Sequence, residues 1–242
     1  MTAARLIAPL AAFFAGAVGA EITGADYAMQ TDIYGHGAVP GGEYAAIEIR
    51  LAPDRVLGAA LADAVYEDTA PRLVDLDGDG TPEVVTVISY FDRGAAIRIW
   101  DEVASDGHPA GTTIAVIAET APIGQRHRWL AIAGIADFDG DGRVEIAYVD
   151  RPHLARVLRV VELVPAPEGW RLTQEAAIEG VTNHRFGAPG IEGGVVDCGA
   201  GPELRLARGD WSRIVGLRHD GEGWQLHDLG PYAPAALADP DC

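Results

Sequence analysis

The chain is 242 residues long and carries 36 Asp and Glu against 18 basic side chains, a formal charge of −18. None of those basic residues is Lys; all are Arg. An acidic balance of this size repels nucleic-acid phosphates and anionic membrane surfaces, so neither is expected as a partner, while 30 Gly and 15 Pro among short Val/Ile runs indicate an all-β chain.

Residues 1–20 read as a signal peptide. Arg5 supplies a minimal positive start, residues 6–18 form an apolar stretch too short to span a bilayer, and Val18-Gly19-Ala20 offers small side chains before a cut at Glu21. No other stretch is suited to a membrane span. Residues 21–242 are therefore expected as one exported domain, periplasmic or secreted, after cleavage near Ala20.

Residues 21–35 are a weakly patterned lead-in with Tyr27 and Tyr34 as anchors. Residues 45–51 alternate as a strand and 56–61 read as its partner, although 57–64 also admit a short helix. Three four-strand units follow. Their strands are expected near 73–74, 84–90, 95–100 and 112–118, then 131–136, 144–149, 156–163 and 170–177, then 191–196, 203–207, 213–218 and 224–229. Turn-forming Asp92-Arg93-Gly94, Pro167-Glu168-Gly169 and Asp220-Gly221-Glu222-Gly223 separate consecutive strands.

The first two units each carry an acidic loop of the form D-x-D-G-D-G-x-x-E, at Asp75–Glu83 and again 62 residues later at Asp137–Glu145. A hard dication such as Ca2+ takes six to eight oxygens. The first loop offers Asp75, Asp77, Asp79, the Thr81 carbonyl and Glu83; the second offers Asp137, Asp139, Asp141, the Arg143 carbonyl and Glu145. With no His or Cys inside either loop, zinc is disfavoured. An EF-hand would need Glu at position 12 and flanking helices, but Thr86 and Tyr148 stand there within β-branched runs. Two strand–loop–strand Ca2+ sites are the expectation, and the bland alternative is a pair of bare acidic turns.

These loops resemble the FG-GAP/VCBS repeats of exported bacterial proteins and of the integrin α-chain propeller. The resemblance covers about residue 70 to the C-terminus and includes Phe186-Gly187 with Ala188-Pro189 ahead of a degenerate third copy, residues 194–203. Of the ligand positions only Asp197 and Glu203 remain there, so no Ca2+ is expected in it. The resemblance implies a small β-propeller of four-stranded blades, about four in number if the N-terminal strands complete one. An irregular or open stack of sheets is the alternative.

Cys198 and Cys242 are the two cysteines, and in an exported chain they are expected to form a disulfide. His127-Arg128 and His184-Arg185 precede the second and third loops, and His36 precedes the N-terminal strands. Around an axis these residues would meet at one mouth and could hold an anion, or simply bond loop carbonyls. The first unit carries Glu67 and Asp68 near that position instead, and Asp150 with His153 reads as a solvated turn. No nucleophile elbow, P-loop or HExxH is present. The expected function is a non-enzymatic binding or scaffold module for a protein, glycan or small anionic ligand. The alternative is a Ca2+-dependent phosphoester hydrolase using the His/Arg cluster.

Overall fold

A computed structural model describes residues 21–238; the expected signal peptide and Cys242 lie outside the described residues. Among the described residues, seventeen strands form three antiparallel sheets, none of which closes on itself, and one short helix follows the last strand.

The first sheet has eight strands: β1 (Ile22–Gln30), β2 (Glu43–Leu51), β3 (Arg55–Ala60), β4 (Ala64–Glu67), β5 (Arg72–Val74), β6 (Glu83–Tyr90), β7 (Gly94–Ala104) and β8 (Thr112–Glu119). The second runs β9 (Leu130–Ala136), β10 (Glu145–Asp150), β11 (Val157–Ala166), β12 (Gly169–Glu179) as a four-strand meander. The third holds β13 (Val181–Thr182), β14 (Gly194–Asp197), β15 (Pro202–Arg208), β16 (Arg213–His219) and β17 (Trp224–Pro231). A short helix, α1 (Pro234–Ala238), ends the described chain.

All twelve expected strands of the three units are present among the described residues, with ends displaced by up to four residues, the largest shift being the C-terminal end of the strand expected at 95–100. Two N-terminal expectations change. The lead-in is a nine-residue strand, β1, paired along β2 from Ile22↔Leu51 to Gln30↔Tyr44. Nor do the N-terminal strands stand apart as a separate blade. Buried β4 pairs with β2 through Tyr44↔Tyr66 and with β6 through Tyr66↔Ile88, fusing the N-terminal strands and the first unit into one sheet.

Strand β6 is buried at all eight positions and β10 at all six, which accounts for apolar side chains on both faces of each strand rather than in alternation. Alternate side chains serve different cores. Ile146 and Tyr148 pack with Val85, Val87, Ile97 and Ile99 of the first sheet, whereas Ala147 and Val149 pack with Leu204, Leu206, Val215 and Leu217 of the third. The second sheet is thus sandwiched between the other two. On the far side of β6, Val84 and Ile88 join Ile47, Ile49 and Tyr66 in a third core. Leu237 of α1 covers Ala207 and Ile214 of the third sheet.

Candidate metal loops and a histidine cavity

Each acidic loop joins the first two strands of its unit, and the two loops fold alike. Asp75 accepts from the amides of Gly78 and Gly80 at 2.8 and 3.0 Å; Asp137 accepts from Gly140 and Gly142 at 2.7 and 3.0 Å. Asp77 and Asp139 accept from the amides two residues on, at 3.1 and 3.0 Å. Leu76 N–H donates to Glu83 Oε2 and Phe138 N–H to Glu145 Oε2, both at 2.7 Å. Gly78, Gly80, Gly140 and Gly142 all have φ between 77° and 92°, a region glycine enters without a Cβ penalty.

Carboxylate oxygens of Asp75, Asp77 and Glu83 converge within 4.8 Å of one another, as do those of Asp137, Asp139, Asp141 and Glu145. Asp79 does not join the first group; its Oδ1 takes the Thr81 amide and hydroxyl at 2.8 and 2.7 Å. Arg143 directs its guanidinium to Glu162 at 2.7 Å. Glu83 is 1% exposed, and its Oε1 is buried without a hydrogen-bond partner. Burial, with the charges of the loop aspartates adding to it, pushes the Glu83 and Glu145 carboxyls up to about 8.

Neighbouring strands add acids that the sequence motif did not identify. Asp101 on β7 is pushed up to about 6 by burial and by Asp77 and Asp79. In the second sheet Glu145 stands directly across from Glu162, a like-charge pair unfavourable in a bare sheet. Glu175 on β12 is pushed up to about 7 by burial, Glu162 and the loop aspartates. An all-oxygen donor set, surplus negative charge and one buried bare oxygen suit a hard divalent cation. Bound there, it would supply positive charge and cross-link the loop.

The third loop keeps the turn but not the charge. Gly199 donates to Asp197 at 2.8 Å, and Gly199 and Gly201 have φ of 86° and 87°. Glu203 meets Arg205 at 3.2 Å, Arg218 at 3.2 Å and His227 at 3.0 Å. Two guanidinium groups and an imidazole thus surround this carboxylate.

At the opposite ends of the strands, the loops before β2, before β9 and after β10 enclose a cavity of about 210 Å³. His36 and His127 stack with ring centres 5.2 Å apart, and Phe186 lies edge-on to His36 at 5.8 Å and to His153 at 5.3 Å. His184 Nε2 donates to the Ala188 carbonyl at 3.0 Å, so its Nδ1 accepts from His153 Nε2 at 2.9 Å. Burial first, then the neighbouring His184, His36 and Arg156, lowers His153 to about 4; burial also lowers His184. His36 Nδ1 meets Glu67 Oε1 at 2.7 Å, and Ser89 donates to the other oxygen of this buried carboxylate at 2.5 Å. Glu67, which breaks the repeat pattern in the sequence, is thus the partner of His36.

Of the expected cluster, His36, His127 and Arg128 line the cavity, and His184 lies behind it, bonded to His153. Arg185 does not join them. It pairs with Glu192 at 2.6 Å and lies 3.5 Å over the Trp211 ring, because a carboxylate and two aromatic faces near the C-terminus hold it there. His153 joins instead; Asp150, its expected turn partner, is taken by Arg151 and Arg159.

No protein-family model matches this chain, and no curated protein matches it. No helix among the described residues is long and apolar enough to cross a membrane. Along β10, Glu145 lies at the acidic-loop end, while Arg151 follows the other end and lines the cavity. At about 3.3 Å per residue, six residues put roughly 20 Å between the two sites.

Proposed function

We propose that this chain is an exported, Ca2+-stabilised binding or scaffold module built from FG-GAP/VCBS-type repeats, its stacked sheets acting as the blades of a small, irregular propeller. The observation that carries the metal reading is Glu83 Oε1, buried and bare among converging carboxylates, whereas the equivalent Glu203 of the third loop is met by two guanidinium groups and an imidazole. A buried carboxylate without a counter-charge is costly, and the cation that removes the cost would be absent from the unfolded chain. Calcium then acts as a folding ligand and leaves the loops at the far end of the strands free to contact a partner.

The hydrolase alternative would need the ion beside the substrate, and roughly 20 Å separates the acidic loops from the histidine cavity. That separation favours a structural ion. Elemental analysis of protein dialysed against buffered Ca2+ tests the reading: two ions per chain are expected, falling to one in Asp139→Ala. No bound ion would refute it. The proposed Cys198–Cys242 bridge is tested separately by thiol titration of unfolded, unreduced protein, where two free thiols would exclude it.

A further inference from the structure

The histidine cavity has a composition opposite to that of the whole molecule. In a chain of charge −18, the groups lining it include Arg128, Arg151 and three histidines but no carboxylate. Glu67, which bonds His36 from behind, is fully buried and has both oxygens engaged by His36 and Ser89. Arg151 is neutralised by Asp150. Arg128 is not neutralised: its guanidinium donates to the His127 carbonyl at 2.9 Å, and among the described residues no carboxylate lies within ion-pair distance of it.

The remaining walls are apolar. Trp129 is buried and is fixed by an N–H bond to the Glu67 carbonyl at 2.7 Å, while Phe186 and Leu154 stand about 60% exposed at the rim. Large apolar side chains left exposed beside an unneutralised guanidinium form a two-part surface, one part for charge and one for a flat hydrocarbon.

The polar walls are also held in place before any ligand arrives. His36 is oriented by Glu67, His153 by His184, and His127 by Tyr34, whose hydroxyl accepts the His127 amide at 2.7 Å and whose carbonyl accepts the ring Nε2 at 3.0 Å. Those bonds leave His36 Nε2 and His153 Nδ1 as ring nitrogens without a protein partner among the described residues. His127 and Arg151 hold φ of 56° and 49°, a left-handed backbone that costs a non-glycine residue energy and concentrates at ligand sites.

We propose that this cavity is a binding site for a small organic carboxylate, with Arg128 receiving the carboxylate and Phe186, Leu154 and Trp129 enclosing its apolar or aromatic part. The site does not depend on Ca2+ chemistry, so it stands or falls separately from the metal loops. Its volume suits a single ring rather than a polymer.

The experiment is calorimetric titration of the exported chain, held in Ca2+, with benzoate as probe and benzylammonium and inorganic phosphate as comparators. Benzoate is expected to bind one-to-one with Kd on the order of 1 mM, a reasonable affinity for so few atoms. Benzylammonium is expected not to bind, and phosphate to bind at least tenfold more weakly than benzoate. Arg128→Gln should weaken benzoate at least tenfold and Phe186→Ala several-fold, while Arg171→Gln, outside the cavity, should leave it unchanged. Both cavity variants are accepted only with an unchanged unfolding midpoint, and quenching of Trp129 fluorescence by benzoate gives a second readout. Absence of benzoate binding, equal binding of benzylammonium, tighter binding of phosphate, or full benzoate affinity in a folded Arg128→Gln protein would each overturn the proposal.

Discussion

Glu83 and Glu203 close equivalent loops and are almost equally buried, yet Glu203 is met by Arg205, Arg218 and His227 while Glu83 Oε1 meets no hydrogen-bond donor. The two copies solve one electrostatic problem in different ways. A carboxylate at this position can anchor the following strand to the loop amide only if something cationic attends it, and only beside the third loop do the strands that follow place guanidinium groups on it.

Neutralising each residue should therefore have opposite consequences. Glu203→Gln leaves two guanidinium groups and a histidine without their carboxylate and should cost about 1–3 kcal/mol, with or without Ca2+, after allowing for their partial exposure. Glu83→Gln in chelator should cost nothing or stabilise slightly, and in Ca2+ it should cost about the binding contribution of one site. Urea unfolding of both variants under both conditions reads the difference.

The stacking of the second sheet on the third has its own point of weakness. A Cβ added at Gly134 on β9 would lie 2.3 Å from Val195 Cγ2 and 2.8 Å from Leu204 Cδ2. Gly134→Ala should lower stability by about 1–3 kcal/mol through overpacking. Val195→Ala in the same chain should recover part of that loss, and the urea midpoints of the single and double variants check it.

His153 sets a pH dependence. Burial beside His184, His36 and Arg156 holds its folded pKa near 4, below the ordinary value near 6.5. Between those values the unfolded chain binds the extra proton, so stability is complete above about pH 6.5 and declines as pH falls toward 4. The half-buried ring limits the loss to about 1–2 kcal/mol. Ring-nitrogen NMR should find His153 neutral at pH 5, and His153→Asn should flatten this part of the stability profile.

The three four-strand units were legible because their strands are short apolar runs bounded by Gly, Pro and Asp turns, and the acidic motifs fixed where two hairpins begin. The lead-in was not legible as β1, because Asp26 and Gln30 interrupt its apolar positions while its pairing comes from β2, far along the chain. Fusion of the N-terminal strands to the first unit depends on β4, four residues whose two-sided pairing leaves no periodic mark. At the cavity, adjacent His-Arg pairs were visible, but Arg185 turning to Glu192 and Trp211, and His153 turning inward, are decided by partners distant in sequence. Asp101 and Glu175 lie near the acidic loops through strand register, which no local pattern encodes.

Thermal unfolding in about 1 mM Ca2+ and in excess chelator tests the central claim most directly. With dissociation constants near 0.1 mM, each site should contribute about 1.4 kcal/mol, and two sites should raise the midpoint by roughly 6–10 °C for a domain of this size. The Asp77→Ala/Asp139→Ala double variant should lose most of that rise. A midpoint identical in Ca2+ and chelator for the unaltered chain would contradict the account and leave the two loops as bare acidic turns.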